Sequence, residues 1–368
     1  MQMAKSARAA AIIVAATIGG GFFALPYVFQ QSGWLAGLAY LTILAAIIIV
    51  AHSLYLGVLQ REGEKERLLG LVKKYFGETG FWIGFIAIIG GLMLSLIAFL
   101  ILGPRFILLA VPTLPSNFAF ALFWLIIAIP VLVSNRRAAA LEVLGAIMIA
   151  GVILFVFANG ITNFSFAALP AIATQPANLF LPFGIVLLML AGWTGIEPVY
   201  ETTGEAKVGL RGVILGTTAV AVLYLLFVIG IFGGAPAITA DTLSGIVGWA
   251  LWKRLLIAAL GLFAIGTGSV PLSHEIRNAF EDDLGWNPII ARLVIIFLPP
   301  AVILAGFNNF ISVLSLSGGV FVALQYVLIL LVGRRALPLS RSKKTAIDIA
   351  AGVFILGAIY QIIVFVVK

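Results

Sequence analysis

The chain contains no cysteine, which removes disulfide staples, thiol nucleophiles and cysteine-ligated metals from consideration and leaves the redox compartment open. Charge is nearly as scarce. Asp, Glu, Lys and Arg together make up 10% of 368 residues, against roughly a quarter in a soluble domain. The two histidines, His52 and His274, lie far apart, with no His-Glu-x-x-His pair and no clustered aspartates in apolar runs. Metal-assisted hydrolysis therefore has no scaffold, and an intramembrane hydrolase lacks its residues. No long polar stretch is present to form a separate soluble domain, so one domain over 1–368 is the economical reading.

What remains is apolar. Hydrophobic residues make up 62% of the chain and the mean hydropathy is +1.19, the composition of a polytopic, all-α integral membrane protein embedded in a lipid bilayer. Runs long enough to cross a bilayer, about 20 residues, fall at 9–30, 33–59, 80–103, 117–134, 138–158, 180–203, 209–234, 250–274, 288–306, 309–333 and 345–367. That predicts about eleven transmembrane helices. The first run has a charged start like a signal peptide but no small-residue cleavage site, and further runs follow, so it reads as a retained helix.

Basic residues set the orientation, because Lys and Arg concentrate in cytoplasmic loops. With Lys5 and Arg8 inside, alternate crossings place every Lys and Arg inside except Arg105, Lys253, Arg254 and Lys368. The N-terminus is expected in the cytoplasm and the C-terminus outside. The net charge of +8 is then a topology effect, and no nucleic-acid partner is implied. Compact loops read as prokaryotic, which points to a plasma or inner membrane. Between spans, 61–80 mixes charge with Leu68, Leu69, Leu71, Val72, Tyr75 and Phe76, as either an amphipathic surface helix or a solvated loop. The Ala-, Thr-, Pro- and Gly-rich linkers at 160–176 and 233–248 are candidates for an outer lid.

Within the first run, Thr17-Ile-Gly-Gly-Gly-Phe-Phe-Ala-Leu-Pro26 sets Gly19, Gly20 and Gly21 in a row with a proline following. Hydrocarbon cannot satisfy free backbone groups, so a broken membrane helix survives only inside protein or beside a wet cavity. Such breaks hold substrates at the midplane of secondary transporters. The competing reading is close helix packing on small residues. A second break is expected in Ala191-Gly-Trp-Thr-Gly-Ile-Glu-Pro198, where Gly192 and Pro198 match Gly20 and Pro26. Spans one and six are the first helices of two five-helix halves, about 9–158 and 180–333, and an odd count inverts one half relative to the other. The run 345–367 is an appendage.

Gly19, Gly21, Leu25, Pro26, Tyr27, Phe29, Gly33 and Trp34 meet the first-helix pattern of the amino acid/auxin permeases, and the chain resembles that family of the amino acid-polyamine-organocation superfamily. The sixth run resembles the family's broken helix through Gly192, Pro198, Tyr200 and Glu201, and Pro271-Leu272 before Arg277 is similar to its eighth. The chain departs from the family in having Ala15, Ala16 and Thr17 where a polar residue often precedes the glycines. The resemblance implies a leucine-transporter-like core of five plus five helices and a proton- or sodium-coupled amino acid symporter without an organic cofactor. N-H groups at Gly20, Gly21 and Phe22 would then receive a substrate carboxylate at a positive helix end. Carbonyls at Thr17, Ile18, Ala191 and Gly192 would receive its ammonium group.

Trp193 and Thr194 would shape the side-chain pocket, with Phe22, Phe23 and 89–95 as apolar neighbours favouring neutral or hydrophobic substrates. Trp193 also suits simple packing. Glu197, a carboxylate within a span, is a candidate for a coupling proton or a substrate amine; hydration near the inner interface is its structural alternative. Thr267 and Ser269, on a helix that faces helix one in related transporters, are candidates for a sodium site with Ile18, unless their hydroxyls bond their own helix. His52 and Glu142 are further proton candidates, although a lone histidine in the inner half of a span is more often structural and Glu142 suits a helix-start charge. A fixed-pore channel fits two matched breaks less well than alternating access. An exchanger or a non-transporting sensor would keep the same site.

Overall fold

The computed structural model describes the chain except residues 1, 64–66, 133–137, 167–168, 174 and 368, and leaves out the side chains of 130, 138–140 and 142. Lys65, Arg136, Arg137, Lys368 and the Glu142 side chain therefore lie outside the described residues.

Among the described residues, eight helices are long and apolar enough to cross a membrane, one bent pair adds another span, and two shorter apolar helices stand at Ser116–Ile129 and Pro288–Leu304. These match the eleven expected runs in order. The first span is Gln2–Thr17 and Leu25–Ser32, joined by a 3-10 turn over Gly20–Ala24, with a bend of 60° between its halves. Gly19 is extended (φ −127°, ψ 175°), so the ladder lapses at the glycines. Pro26 sits in the first turn of the resumed helix, where its missing N-H costs nothing.

The sixth span repeats the device. Leu181–Met189 stops, Trp193–Gly195 forms a 3-10 turn, and Ile196–Thr203 resumes. It ends at Gly204 in the left-handed conformation (φ 68°, ψ −3°), whose N-H bonds the Tyr200 carbonyl, a glycine C-terminal cap. The third span, Leu68–Ala110, starts earlier than hydropathy indicates. Residues 68–76 form the amphipathic helix, with Leu68, Leu71 and Val72 buried and Lys73 and Lys74 exposed, and Gly77 at φ 68° turns it into the membrane segment.

The remaining spans are Trp34–Glu62 (second), Ser116–Leu132 (fourth), Ala138–Gly160 (fifth), Ala206–Gly234 (seventh), Leu251–Asn278 (eighth), Pro288–Leu304 (ninth), Phe310–Ala336 (tenth, with a π turn at Ser317–Val322) and Arg341–Val367 (eleventh). One displacement along the chain relates the halves. The step that carries Gly20 onto Gly192 carries Thr17 onto Met189, where both first half-helices end. It also carries Trp34–Glu62 onto Ala206–Gly234, each of 29 residues, Ser116–Leu132 onto Pro288–Leu304, each of 17, and Ala138 onto Phe310, the starts of spans five and ten.

Packing obeys the same symmetry. Span one lies on seven as six lies on two, three on ten as eight on five, five on seven as ten on two, and four on eight as nine on three. The amphipathic helix 68–76 maps onto the loop 240–248, which holds the short turn Leu243–Ile246. The chain thus carries a five-plus-five inverted-repeat core with an added C-terminal helix. Crossings close enough for backbone contact include Gly160 on Gly230, Gly216 of span seven on Ala10 of span one, and Gly184 of span six on Gly318 of span ten.

Candidate functional site

The two breaks face a shared cavity of about 140 Å³, comparable to the roughly 150 Å³ that holds a benzene-sized solute. Span one lines it with Ala16, Thr17, Gly19, Gly20 and Gly21, span six with Leu188, Met189, Ala191, Trp193 and Thr194, and span three with Gly91, Leu92, Ser95, Ala98 and Phe99. Leu272, Leu314, Val322 and Gln325 complete the wall. The glycines create this space: a Cβ on Gly20 would lie 2.8 Å from the Ile265 side chain and 3.4 Å from the Phe99 ring. No charged side chain is among the lining residues. Any charged ends of a bound solute must therefore be met by backbone groups, and a helix break supplies both signs: acceptor carbonyls before it and N-H donors after it.

Polar side chains hold the breaks in place. Tyr224, fully buried on span seven, donates its hydroxyl to the carbonyls of Thr17 (3.3 Å) and Met189 (3.0 Å), which are repeat equivalents of each other. Its ring stacks on Phe22 with centroids 6.0 Å apart. Trp193 donates its indole N-H to Gln325 Oε1 at 2.7 Å, and Gln325 Nε2 donates to the Ala87 carbonyl at 2.8 Å. That amide clasps span six to span three from span ten. Gly91 must lack a side chain because its Cβ would meet Gln325 Nε2 at 2.8 Å.

Trp193 and Thr194 also line a larger vestibule of about 470 Å³, so the central cavity adjoins it through them. The vestibule lies toward the end of the bundle where span one begins, among Arg67, Glu197, Glu201, Glu275, Asn278 and Asp283. Glu197 accepts from the Tyr55 hydroxyl at 2.5 Å and from Leu68 N at 3.3 Å, docking the amphipathic helix on span six. The opposite end is sealed. Phe22 and Phe23 pack with Phe106, Phe227 and Tyr224 at centroid distances of 4.3 to 6.0 Å. Above them Thr242 donates to the Phe23 carbonyl and Asp241 pairs with Arg105. Thr242 sits at φ 60°, a conformation that costs a β-branched residue about 1 kcal/mol or more. The loop 240–248 is thus latched on span one in the way the amphipathic helix is latched on span six.

The residues singled out by sequence divide into four groups. Thr17, Gly19, Gly20, Gly21, Ala191, Trp193 and Thr194 meet at the cavity, and Glu197 at the vestibule below it. Ile18 and Gly192 stand behind the lining, with Thr17 Oγ1 against the position a Gly192 Cβ would take. Phe22 and Phe23 turn into the aromatic seal instead of the pocket. The hydroxyls of Thr267 and Ser269 bond their own helix: Thr267 donates to the Phe263 (3.0 Å) and Ala264 (3.1 Å) carbonyls and abuts Gly145 of span five, and Ser269 donates to the Gly266 carbonyl at 2.7 Å. This is the common fate of hydroxyls on apolar helices. Their counterpart at the cavity is Ser95, the repeat equivalent of Thr267, which bonds the carbonyl four residues back in the same way.

Comparison with solved structures decides the architecture. The manganese transporter of Eremococcus coleocola, solved with an aromatic bis-isothiourea compound, matches with a TM-score of 0.64 over 98% of this chain and 86% of that one, at 14% identity. MhsT in complex with L-phenylalanine matches at 0.63 over 95% and 98%, at 16% identity. The fold is that of the leucine-transporter class. It is inferred from shape alone at these identities. No family model matches the chain, and no curated protein matches it by sequence. Within this fold the residues that hydropathy did not single out are Tyr224, Gln325 and Glu275. The available signal was a polar side chain inside an apolar run.

Proposed function

We propose that the chain is a secondary active transporter, a proton- or sodium-coupled symporter of neutral or hydrophobic amino acids that works by alternating access. One observation carries the reading: a small, mostly apolar cavity, free of charged side chains, lies between two helix breaks that can read a zwitterion by backbone. The structural likeness to MhsT with bound L-phenylalanine supports it, as does the first-helix resemblance to the amino acid/auxin permeases. Cation export or uptake of the manganese type is less well supported, because the cavity has no carboxylate or imidazole and no group of three or more metal-binding side chains occurs among the described residues. In this reading 1–368 is one transporter domain in the plasma membrane, with its N-terminus in the cytoplasm and C-terminus outside. The vestibule is then the inner exit and the state is inward-facing.

Backbone recognition of both charged ends is testable by competition binding on purified protein. A free neutral amino acid should compete, while its methyl ester and its N-acetyl derivative should each bind at least about ten-fold more weakly, since a hydrogen bond to a charged group is worth about 1.5–3 kcal/mol. Equal competition by the capped forms would refute the zwitterion site. A protein that binds the free amino acid but moves none would be the sensor of the same fold.

A further inference from the structure

His52 is unused in the site as described, and its surroundings are unusual. The side chain is fully buried on span two, its Nε2 lies 2.9 Å from the Tyr326 hydroxyl, and its Nδ1 has no hydrogen-bond partner. A buried polar atom left unpaired in a native fold calls for an explanation. Two further observations tie this histidine to the substrate cavity. The displacement that carries Gly20 onto Gly192 carries His52 onto Tyr224, the residue whose hydroxyl ties down both breaks. The Tyr326 hydroxyl that His52 meets also lies beside the backbone of Gly192 at the second break. The neighbouring residue, Gln325, holds Trp193 of that same break.

We infer that His52 is the binding site of the coupling proton, linked to the second break through Tyr326. The inference rests on the amino acid symporter reading and names its driving ion. In the neutral pair Tyr326 donates to Nε2. A proton taken up on the Nε2 lone pair reverses that bond, so that Nε2-H donates to the Tyr326 oxygen. The tyrosine proton is then free to turn to a carbonyl at the break. No other ionisable group competes closely for the role. Of the elements packed on span two, span ten presents Tyr326 and, at its far end, Arg334 and Arg335. Span six presents Glu197, held by Tyr55 one turn along, and Glu201 at its end. Spans one and seven carry charge only at their starts, Lys5 and Arg8, and Lys207 and Arg211.

The test uses the full chain in proteoliposomes, with His52→Gln, whose amide can still bond Tyr326 but cannot titrate, and Tyr326→Phe. Counterflow exchange of a labelled amino acid at equal pH needs the site but no gradient. His52→Gln should keep it within about two-fold, and both variants should lose accumulation under an inward proton gradient by about ten-fold or more, in the range of measured coupling factors. Uptake by His52→Gln should also lose the pH dependence that the wild type shows. Wild-type accumulation and pH profile in His52→Gln would overturn the proposal, as would wild-type protein driven by sodium alone; both leave the symporter reading intact. Loss of counterflow in His52→Gln would overturn it too, since the histidine would then serve the fold. Wild-type protein that exchanges no amino acid would instead remove the reading on which the proposal rests.

Discussion

Gly318→Leu should cost the protein its fold in detergent, with the melting temperature lower by at least about 5 °C and a smaller monodisperse yield. The physical cause is the crossing of spans six and ten. A Cβ on Gly318 would overlap the carbonyl oxygen and carbon of Gly184, and one on Gly184 would lie 2.8 Å from Gly319 N. These neighbours are backbone and cannot rotate away. Overpacking against yielding side chains already costs about 1–3 kcal/mol, and each kcal/mol moves the melting temperature by about 2–4 °C in a mid-sized domain. Gly352→Leu is the control, because nothing lies within 4 Å of its Cβ position. Equal thermal stability of the two variants would show that the close crossing does not exist.

Tyr224→Phe should leave the fold intact and weaken amino acid binding by about ten-fold. The substitution keeps the ring, which stacks on Phe22 in the aromatic seal, and removes only the hydroxyl. Two carbonyls at the breaks, Thr17 and Met189, then lose their common donor. An unsatisfied buried acceptor costs about 1–3 kcal/mol, and a shift of the break to recover a partner would disturb the carbonyls proposed to receive the substrate ammonium. Equilibrium binding measured beside a thermal melt separates the effects. An unchanged affinity would mean that the hydroxyl does not fix the breaks, and a large fall in melting temperature would mean that its role is general stability.

Much of the architecture was legible because membrane solvation is so restrictive. Apolar runs had to be helices, and the two interruptions carried Gly and Pro at matched positions, so the paired breaks and the inverted halves could be read from Gly20, Pro26, Gly192 and Pro198. The boundaries at Leu68 and Gly77 were harder, since Lys73, Lys74 and Glu78 interrupt hydropathy while the chain stays helical on either side of the turn at Gly77. Which face a residue takes inside an apolar helix is the information hydropathy lacks. Phe22 and Phe23 sit beside the glycines in sequence but point into the seal, and Thr267 sits on the helix next to the site but bonds its own backbone. Gln325 and Tyr326 gave no periodic signal, because span ten is buried on most sides and widened by a π turn at Ser317–Val322. Their partners, Trp193 and His52, lie far away in sequence and come together only through the crossing of spans two, six and ten.

The most direct test is accumulation of labelled neutral amino acids in proteoliposomes carrying an imposed proton or sodium gradient, with Gly20→Leu as the site-filled control. A Cβ at Gly20 already meets Ile265 and Phe99, and a leucine there would crowd the first break beside the cavity. Gradient-driven accumulation by the wild type, abolished in a Gly20→Leu protein that still purifies as a folded, monodisperse species, is the predicted result. Absence of accumulation under either gradient, or accumulation undiminished in Gly20→Leu, would contradict a symporter whose substrate sits at the first break.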